Sequence, residues 1–148
     1  MPRIDLDSIP PANTTGYPAP HAEAVQGRWF RRLAPVAGLT DFGASHVTLK
    51  PGAWSSQRHW HEDEDEMVVM LSGEAVLVDD SGRPPMRAGD IALFPKNDGN
   101  GHHLVNESDA DCVFVAVGRP PAGVCHYSDI DMLFTPDTLY TRKDGSPC

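Results

Sequence analysis

The sequence predicts an all-β domain whose strands close into a sandwich or barrel. Three observations carry this. From Arg28 onward, apolar runs of four to seven residues recur, each ended by a turn signal. No stretch after residue 28 keeps apolar residues at the 3.6-residue spacing of a helix. Thirteen Gly and 14 Pro supply the punctuation that many tight turns need. A chain of 148 residues holds one ordinary domain and is too short for two.

Residues 1–27 contain Pro2, Pro10, Pro11, Pro18 and Pro20 and little periodicity. They read as an extended arm, with at most a short helix around His21 to Val25. Residues 28–118 read as the barrel. Its runs are Arg28–Leu33, Ala44–Lys50, Ser56–His61, Glu66–Leu71, Ala75–Val78, Ile91–Phe94, His103–Asn106 and Cys112–Val117. Between them stand turn formers such as Pro51-Gly52, Ser72-Gly73, Asp79-Asp80-Ser81-Gly82 and Asn97-Asp98-Gly99-Asn100-Gly101. Pro120-Pro121 closes the pattern. Residues 119–148 read as an irregular tail with enough apolar surface, around Ile130 to Phe134, to pack on the barrel.

Twelve Lys and Arg face 21 Asp and Glu, a formal net charge of −9. Such a chain repels phosphate backbones and anionic lipid, so neither nucleic acid nor a membrane surface is expected as a partner. No apolar run approaches the roughly 20 residues of a membrane span. The N-terminal residues lack a basic segment followed by an apolar core, so no signal peptide is read and a cytoplasmic location is expected. Cys112, Cys125 and Cys148 form no C-x-x-C pair, which suits a reduced compartment.

Histidine is the informative residue. Four of seven fall in two tight pairs, His59/His61 and His102/His103. On a strand, residues two apart share a face, so His59 and His61 project together and Trp60 points the other way. Glu66 opens the next apolar run, and a hairpin would bring its carboxylate beside both imidazoles. His102 follows the Gly-rich turn at the start of another run. Three imidazoles and one carboxylate gathered inside a barrel make a site for one divalent transition metal: Fe, Mn, Ni, Cu, Co or Zn. Four protein ligands around a metal that prefers six leave two positions for substrate, water or dioxygen. H-E-x-x-H is absent, because Asp65 stands where its second histidine would be.

These residues resemble the two cupin motifs. The first is matched by Gly52, His59, His61, Glu66 and Gly73, with six residues between Gly52 and His59 where the usual pattern has five. The second is matched by Gly89, Pro95, Gly99, His102 and Asn106, with Gly99 four positions after Pro95 rather than two. The 15 residues between the motifs suit small bacterial cupins. The resemblance implies a single-domain jelly-roll barrel of six to eight strands and the ligand set His59, His61, Glu66 and His102. Some similar bacterial cupins are labelled sugar-phosphate isomerases. The fold is shared by isomerases, dioxygenases, lyases, decarboxylases, storage proteins and sensors, so it implies a site rather than a reaction.

Strand alternation extends the reading to a pocket. Gln57 and Ser55 share the parity of His59 and His61 and are expected to face the interior. Val68 and Met70 follow Glu66 inward, Phe94 lines the same space, and His46 either donates to a substrate or packs as a core histidine. Trp54, Arg58 and Trp60 are expected outside, where tryptophans suggest a second sheet or a homodimer interface. Glu62, Asp63, Glu64 and Asp65 read as a solvated turn, and His103 as a structural or surface residue. Tyr127 and Tyr140 either supply a phenol at the mouth or serve as packing. No catalytic residue is identified. The expected function is a metal-dependent enzyme for a small oxygenated substrate: an isomerase of a sugar or hydroxy-carbonyl compound, or a dioxygenase. A non-enzymatic module that binds a small ligand or a metal is the alternative.

Overall fold

The computed structural model describes residues 2–148. Its strands are β1 (Arg28–Arg32), β2 (Gly43–Leu49), β3 (His59–His61), β4 (Glu66–Ser72), β5 (Glu74–Val78), β6 (Pro85–Arg87), β7 (Ile91–Phe94), β8 (His103–Val105), β9 (Cys112–Gly118), β10 (Cys125–Tyr127), β11 (Leu133–Thr135) and β12 (Leu139–Thr141). Among the described residues, helical structure is limited to 3-10 turns of three or four residues, at Leu6–Ser8, Glu23–Val25 and Ala34–Ala37. None is long or apolar enough to cross a membrane.

All strand pairs are antiparallel. The larger sheet has the order β1-β2-β9-β4-β7. Facing it are β6-β5-β8 and β12-β11-β10-β3, joined at the bridges Trp54↔Val105 and His59↔His102. The result is the two-layer jelly-roll barrel. Alternation decides what fills it: Val47 and Leu49 of β2, Val68 and Met70 of β4, and Cys112 and Phe114 of β9 are buried. They meet Ala75, Met86 and Leu104 from the opposite layer. Each of the larger side chains contributes roughly 1.5–3 kcal/mol by leaving water.

Two motif residues have clear structural reasons. Gly73 joins β4 to β5 at φ +72°, and a Cβ there would run into Asp111 O and Cys112. Asn106 is fully buried; its amide donates to Leu49 O and Ala110 O, and its oxygen accepts from the Ser108 N–H and hydroxyl. It closes the turn after β8 without leaving a polar atom unpaired.

Two expectations are corrected. The run Ser56–His61 is a strand only over its last three residues. The tail is not irregular: β10, β11 and β12 extend β3 into a four-stranded sheet. Three-residue strands are too short to display alternation, and the partner of β10 lies some 60 residues upstream in sequence. This sheet has a second core, in which Tyr17, Ile130, Phe134 and Tyr140 pack around Cys125, Tyr127 and Met132. Tyr17 comes from the N-terminal segment, which also bridges β1 at Ala12↔Phe30.

Arg58 ties the tail to the turn before His102. Its side chain is 16% exposed. It donates to both carboxylate oxygens of Asp129 at 2.9 and 2.8 Å, to Asp80 at 2.5 Å and to Gly101 O at 3.2 Å.

Candidate metal centre

The topology carries four sequence-distant residues to one end of the barrel. β3 supplies His59 and His61, β4 begins with Glu66, and His102 stands immediately before β8. Glu66 is the hub. His102 Nε2 lies 2.8 Å from its Oε2, His61 Nε2 lies 2.8 Å from its Oε1, and His59 Nε2 lies 3.9 Å from its Oε2. The His59 ring centroid is 4.8 Å from that of His61 and 5.0 Å from that of His102.

Each ring is held for a reason. His59 Nδ1 lies 2.8 Å from Gln57 O and 3.2 Å from Ser56 Oγ. Donation to the carbonyl fixes the tautomer that leaves Nε2 with its lone pair toward Glu66. Phe94 stacks on His102 at 3.6 Å with an interplanar angle of 5°. Burial pushes His59 down to about 4, against the pull of Glu66, so the ring is neutral near pH 7. His61 goes the other way, up to about 10: burial works against its charge, and the adjacent Cys125 sulfur and Glu66 carboxylate more than reverse that. Burial also opposes the charge on Glu66, but His102 and His61 hold its carboxyl well below the usual range.

The donor set suits a divalent cation. Both ring nitrogens of His61, and Nδ1 of His102, are buried without a hydrogen-bond partner. His61 Nε2 comes within 2.8 Å of Glu66 Oε1 without the alignment of a hydrogen bond. Ligand atoms at about 2.1 Å from one metal lie about 3.0 Å apart at right angles and about 4.2 Å apart when opposed. The spacings around Glu66, 2.8 to 3.9 Å, approximate that range. Ligand atoms of His59, Glu66 and His102 lie within 4.8 Å of one another, as do those of His61, Glu64 and Glu66, and of His59, His61 and Cys125.

Two of these neighbours escaped the sequence reading. Glu64 is not part of a solvated turn: it is 5% exposed, accepts from the Ala122 N–H at 3.1 Å, and its Oε2 lies 3.2 Å from His61 Nδ1. Burial pushes its carboxyl up. The i,i+3 spacing from His61 was the available signal. Cys125 reaches the cluster because β10 pairs with β3 at Cys125↔His61. No local pattern announces that.

A cavity of about 610 Å³ opens onto the cluster. Val68, Phe94, Leu104 and Phe114 are apolar wall. The other expected pocket residues lie elsewhere. Gln57 is buried, but its amide donates to His21 O of the N-terminal segment. Met70 lies in the barrel core and outside the cavity lining. His46 alternates with Val47, so it falls on the outer face of β2, opposite Arg31 of β1. His103 is buried and points away from the cluster, with Nδ1 2.8 Å from Ser56 O and its ring against Trp54. Trp54 and Trp60 are half-covered by their own chain, Trp60 stacking on His126 at 4.1 Å. Tyr127 and Tyr140 are packing residues of the second core.

Known proteins share this architecture. The chain is similar over 99% of its length to a cupin-superfamily sugar phosphate isomerase from Silicibacter pomeroyi, with 45% identity, a TM-score of 0.93 and 96% of that chain covered. A second solved structure, a putative sugar phosphate isomerase from Acidithiobacillus ferrooxidans, is 25% identical with a TM-score of 0.71, covering 77% of this chain and 74% of that one. A curated oxalate-binding protein from Thermotoga maritima is 34% identical over 73 residues, which span 49% of this chain and only 58% of that protein. The profile of the cupin domain matches residues 45–118, from β2 through the end of β9. That match takes in all four clustered residues and both glycine-bounded motifs, and with it the chain belongs to the cupin family.

Proposed function

We propose that this chain holds one divalent transition metal at His59, His61, Glu66 and His102 and isomerises a small sugar or hydroxy-carbonyl compound in the adjoining cavity. The observation that carries the proposal is the convergence of three imidazoles on one half-buried carboxylate, with both ring nitrogens of His61 unpartnered by protein. The similarity to a sugar phosphate isomerase over nearly the whole chain favours isomerisation among the reactions open to such a site.

When bound, the metal would supply Lewis-acid stabilisation of negative charge on a substrate oxygen. The chain's own residues do the rest. His59 offers a neutral nitrogen at neutral pH because burial keeps it unprotonated. Glu66 stays ionised and offsets part of the cation's charge. Val68, Leu104 and Phe114 exclude water and so strengthen each electrostatic contact at the cluster. Isomerisation also moves a proton between neighbouring carbons. Glu64 lines the cavity, and burial raises its carboxyl above the ordinary carboxylate value. Oε1 accepts from the Ala122 N–H, and Oε2, 3.2 Å from His61 Nδ1, is the oxygen placed to hold or move the proton.

A second reading, retention of a small dicarboxylate without turnover, is favoured by the similarity to the oxalate-binding protein. One set of measurements separates the two. Protein purified without a metal-binding tag is analysed for bound elements, then assayed on sugars, keto acids and aromatic diols with oxygen uptake recorded. A stoichiometric metal and oxygen-independent turnover is the expected result. Substrate-dependent oxygen uptake would replace isomerase by oxygenase, and tight oxalate binding without any turnover would leave the binding module. Absence of metal from wild type, or unchanged metal content in His59→Ala or His102→Ala, would refute the ligand assignment.

The chain is also read as a homodimer. Ile91 and Leu93 on the edge strand β7 are 59% and 68% exposed, an apolar surface suited to a second copy. Sedimentation at several concentrations tests this, and a monomer throughout would refute it.

A further inference from the structure

β1 presents an unusual face to the cavity. In the register with β2, Arg28 stands opposite Leu49, Phe30 opposite Val47 and Arg32 opposite Ser45. Those partners belong to the inward face of β2, so the strand turns Arg-Phe-Arg toward the cavity, and all three residues line it. Both guanidiniums lie over the Phe30 ring, Arg28 at 5.4 Å and Arg32 at 5.8 Å from its centroid. Arg119 lines the same cavity.

Among the described residues, none of these three arginines has a carboxylate within ion-pair distance, whereas Arg83 and Arg87 each have one and Arg58 has two. In a chain with 21 acidic residues, cations without a counter-charge at a cavity wall call for an explanation. Arg28 is the more constrained. It donates from Nη1 to Ser55 O at 2.9 Å and from Nη2 to Thr14 O at 3.3 Å, both neutral acceptors, and its Nε is buried with no partner. Burial pulls its affinity for the proton below the ordinary value. The acidic residues of the cavity, Glu64 and Glu66, are engaged at the histidine cluster.

A partly buried guanidinium without a counter-charge carries a desolvation cost that an incoming oxyanion offsets. Its planar fork matches phosphate and carboxylate geometry, and packing against Phe30 limits its freedom before the ligand arrives. We propose that Arg28 and Arg32 form an oxyanion subsite that binds the phosphate or carboxylate end of the ligand whose oxygenated end meets the histidine cluster. The inference rests on the reading of this cavity as a substrate pocket and narrows the substrate to an anionic one.

Calorimetric titration of wild type, Arg28→Gln and Arg32→Gln with fructose 6-phosphate, gluconate and fructose tests it. The expected result is at least tenfold tighter binding of one charged probe than of fructose. Each substitution should remove about tenfold of that preference and leave metal content unchanged. The preferred charged probe assigns phosphate or carboxylate. Inorganic phosphate titrated into chelator-treated protein reads the subsite without the metal, so failure of the metal assignment alone leaves this arm intact. Arg28 also braces two backbone carbonyls, whereas Arg32 is exposed and makes no hydrogen bond among those described, so Arg32→Gln tests the charge without loosening the fold. Equal binding of charged and neutral probes, or undiminished charged-probe binding by folded Arg32→Gln, would overturn the proposal.

Discussion

Replacing Arg58 by Met keeps a stem of similar bulk and removes only the head that ties the tail to the turn before His102. The guanidinium makes a two-pronged pair with Asp129, a single contact to Asp80 and a hydrogen bond to Gly101 O. Both carboxylates are 59% exposed, so each pair belongs to the surface class worth about 0.2–1 kcal/mol. The fork geometry and the mostly covered arginine place the Asp129 pair at the top of that range. The bond to Gly101 O adds about 1 kcal/mol. The sum is about 2 kcal/mol, or a fall in Tm of about 4–8 °C for a chain of this size. Urea denaturation of wild type, Arg58→Met, Asp129→Asn and the double variant measures the total and the coupling. In 1 M salt the Debye length shrinks to about 3 Å, and the loss should fall toward about 1 kcal/mol as the carboxylate contributions are screened. Metal affinity should weaken by about tenfold, since the anchored carbonyl of Gly101 immediately precedes His102. A loss below about 0.5 kcal/mol, or one indifferent to salt, would show that the tail is held by its apolar core and not by this arginine.

Three further outcomes are expected. In metal-free protein, His61 stabilises the fold fully below 6.5 and loses that contribution as pH rises through about 10, whereas His59, pushed to about 4, weakens the fold as pH falls from 6.5 toward 4. Glu66, held below its ordinary value, keeps its contribution until pH falls below about 4.3. Thermal stability should therefore peak near pH 6.5 after chelation, and a flat or steadily rising profile to pH 9 would contradict these assignments. Glu64→Gln should lower turnover by about 100-fold with metal content retained; a fall in metal affinity of similar size with turnover intact in metal-saturated protein would make Glu64 only a positioning residue for His61. Phe94→Ala should cost about 3–5 kcal/mol in urea denaturation, since its buried ring stacks on His102, and a cost under 1 kcal/mol would show that the stack is not structural.

The barrel was legible in the sequence wherever strands are long enough to alternate. β2, β4 and β9 each run seven residues with apolar side chains on one face, and glycines close the turns around them. The cluster was legible because the H-x-H spacing means a shared face only on a strand, and because motif glycines bracket Glu66 and His102. Alternation predicted less well for residues 54–58, where the chain bends before β3 begins, and Gln57 accordingly points its amide to His21 O. For His46 the parity was available, but which parity faced inward depended on pairing with β1 and β9.

Sequence by itself determined the fold class and the motif residues whose imidazoles and carboxylate have the chemistry of a cation's donor set, because these depend on local periodicity and side-chain chemistry. Only the tertiary structure decided that the tail becomes β10 to β12, that Cys125 and Glu64 adjoin His61, and that Arg28 and Arg32 turn unpaired charges into the same cavity. Those facts depend on contacts between residues distant in the chain. Short strands and lone side chains carry too little local signal to specify such partners, and only the closed sheet brings them together.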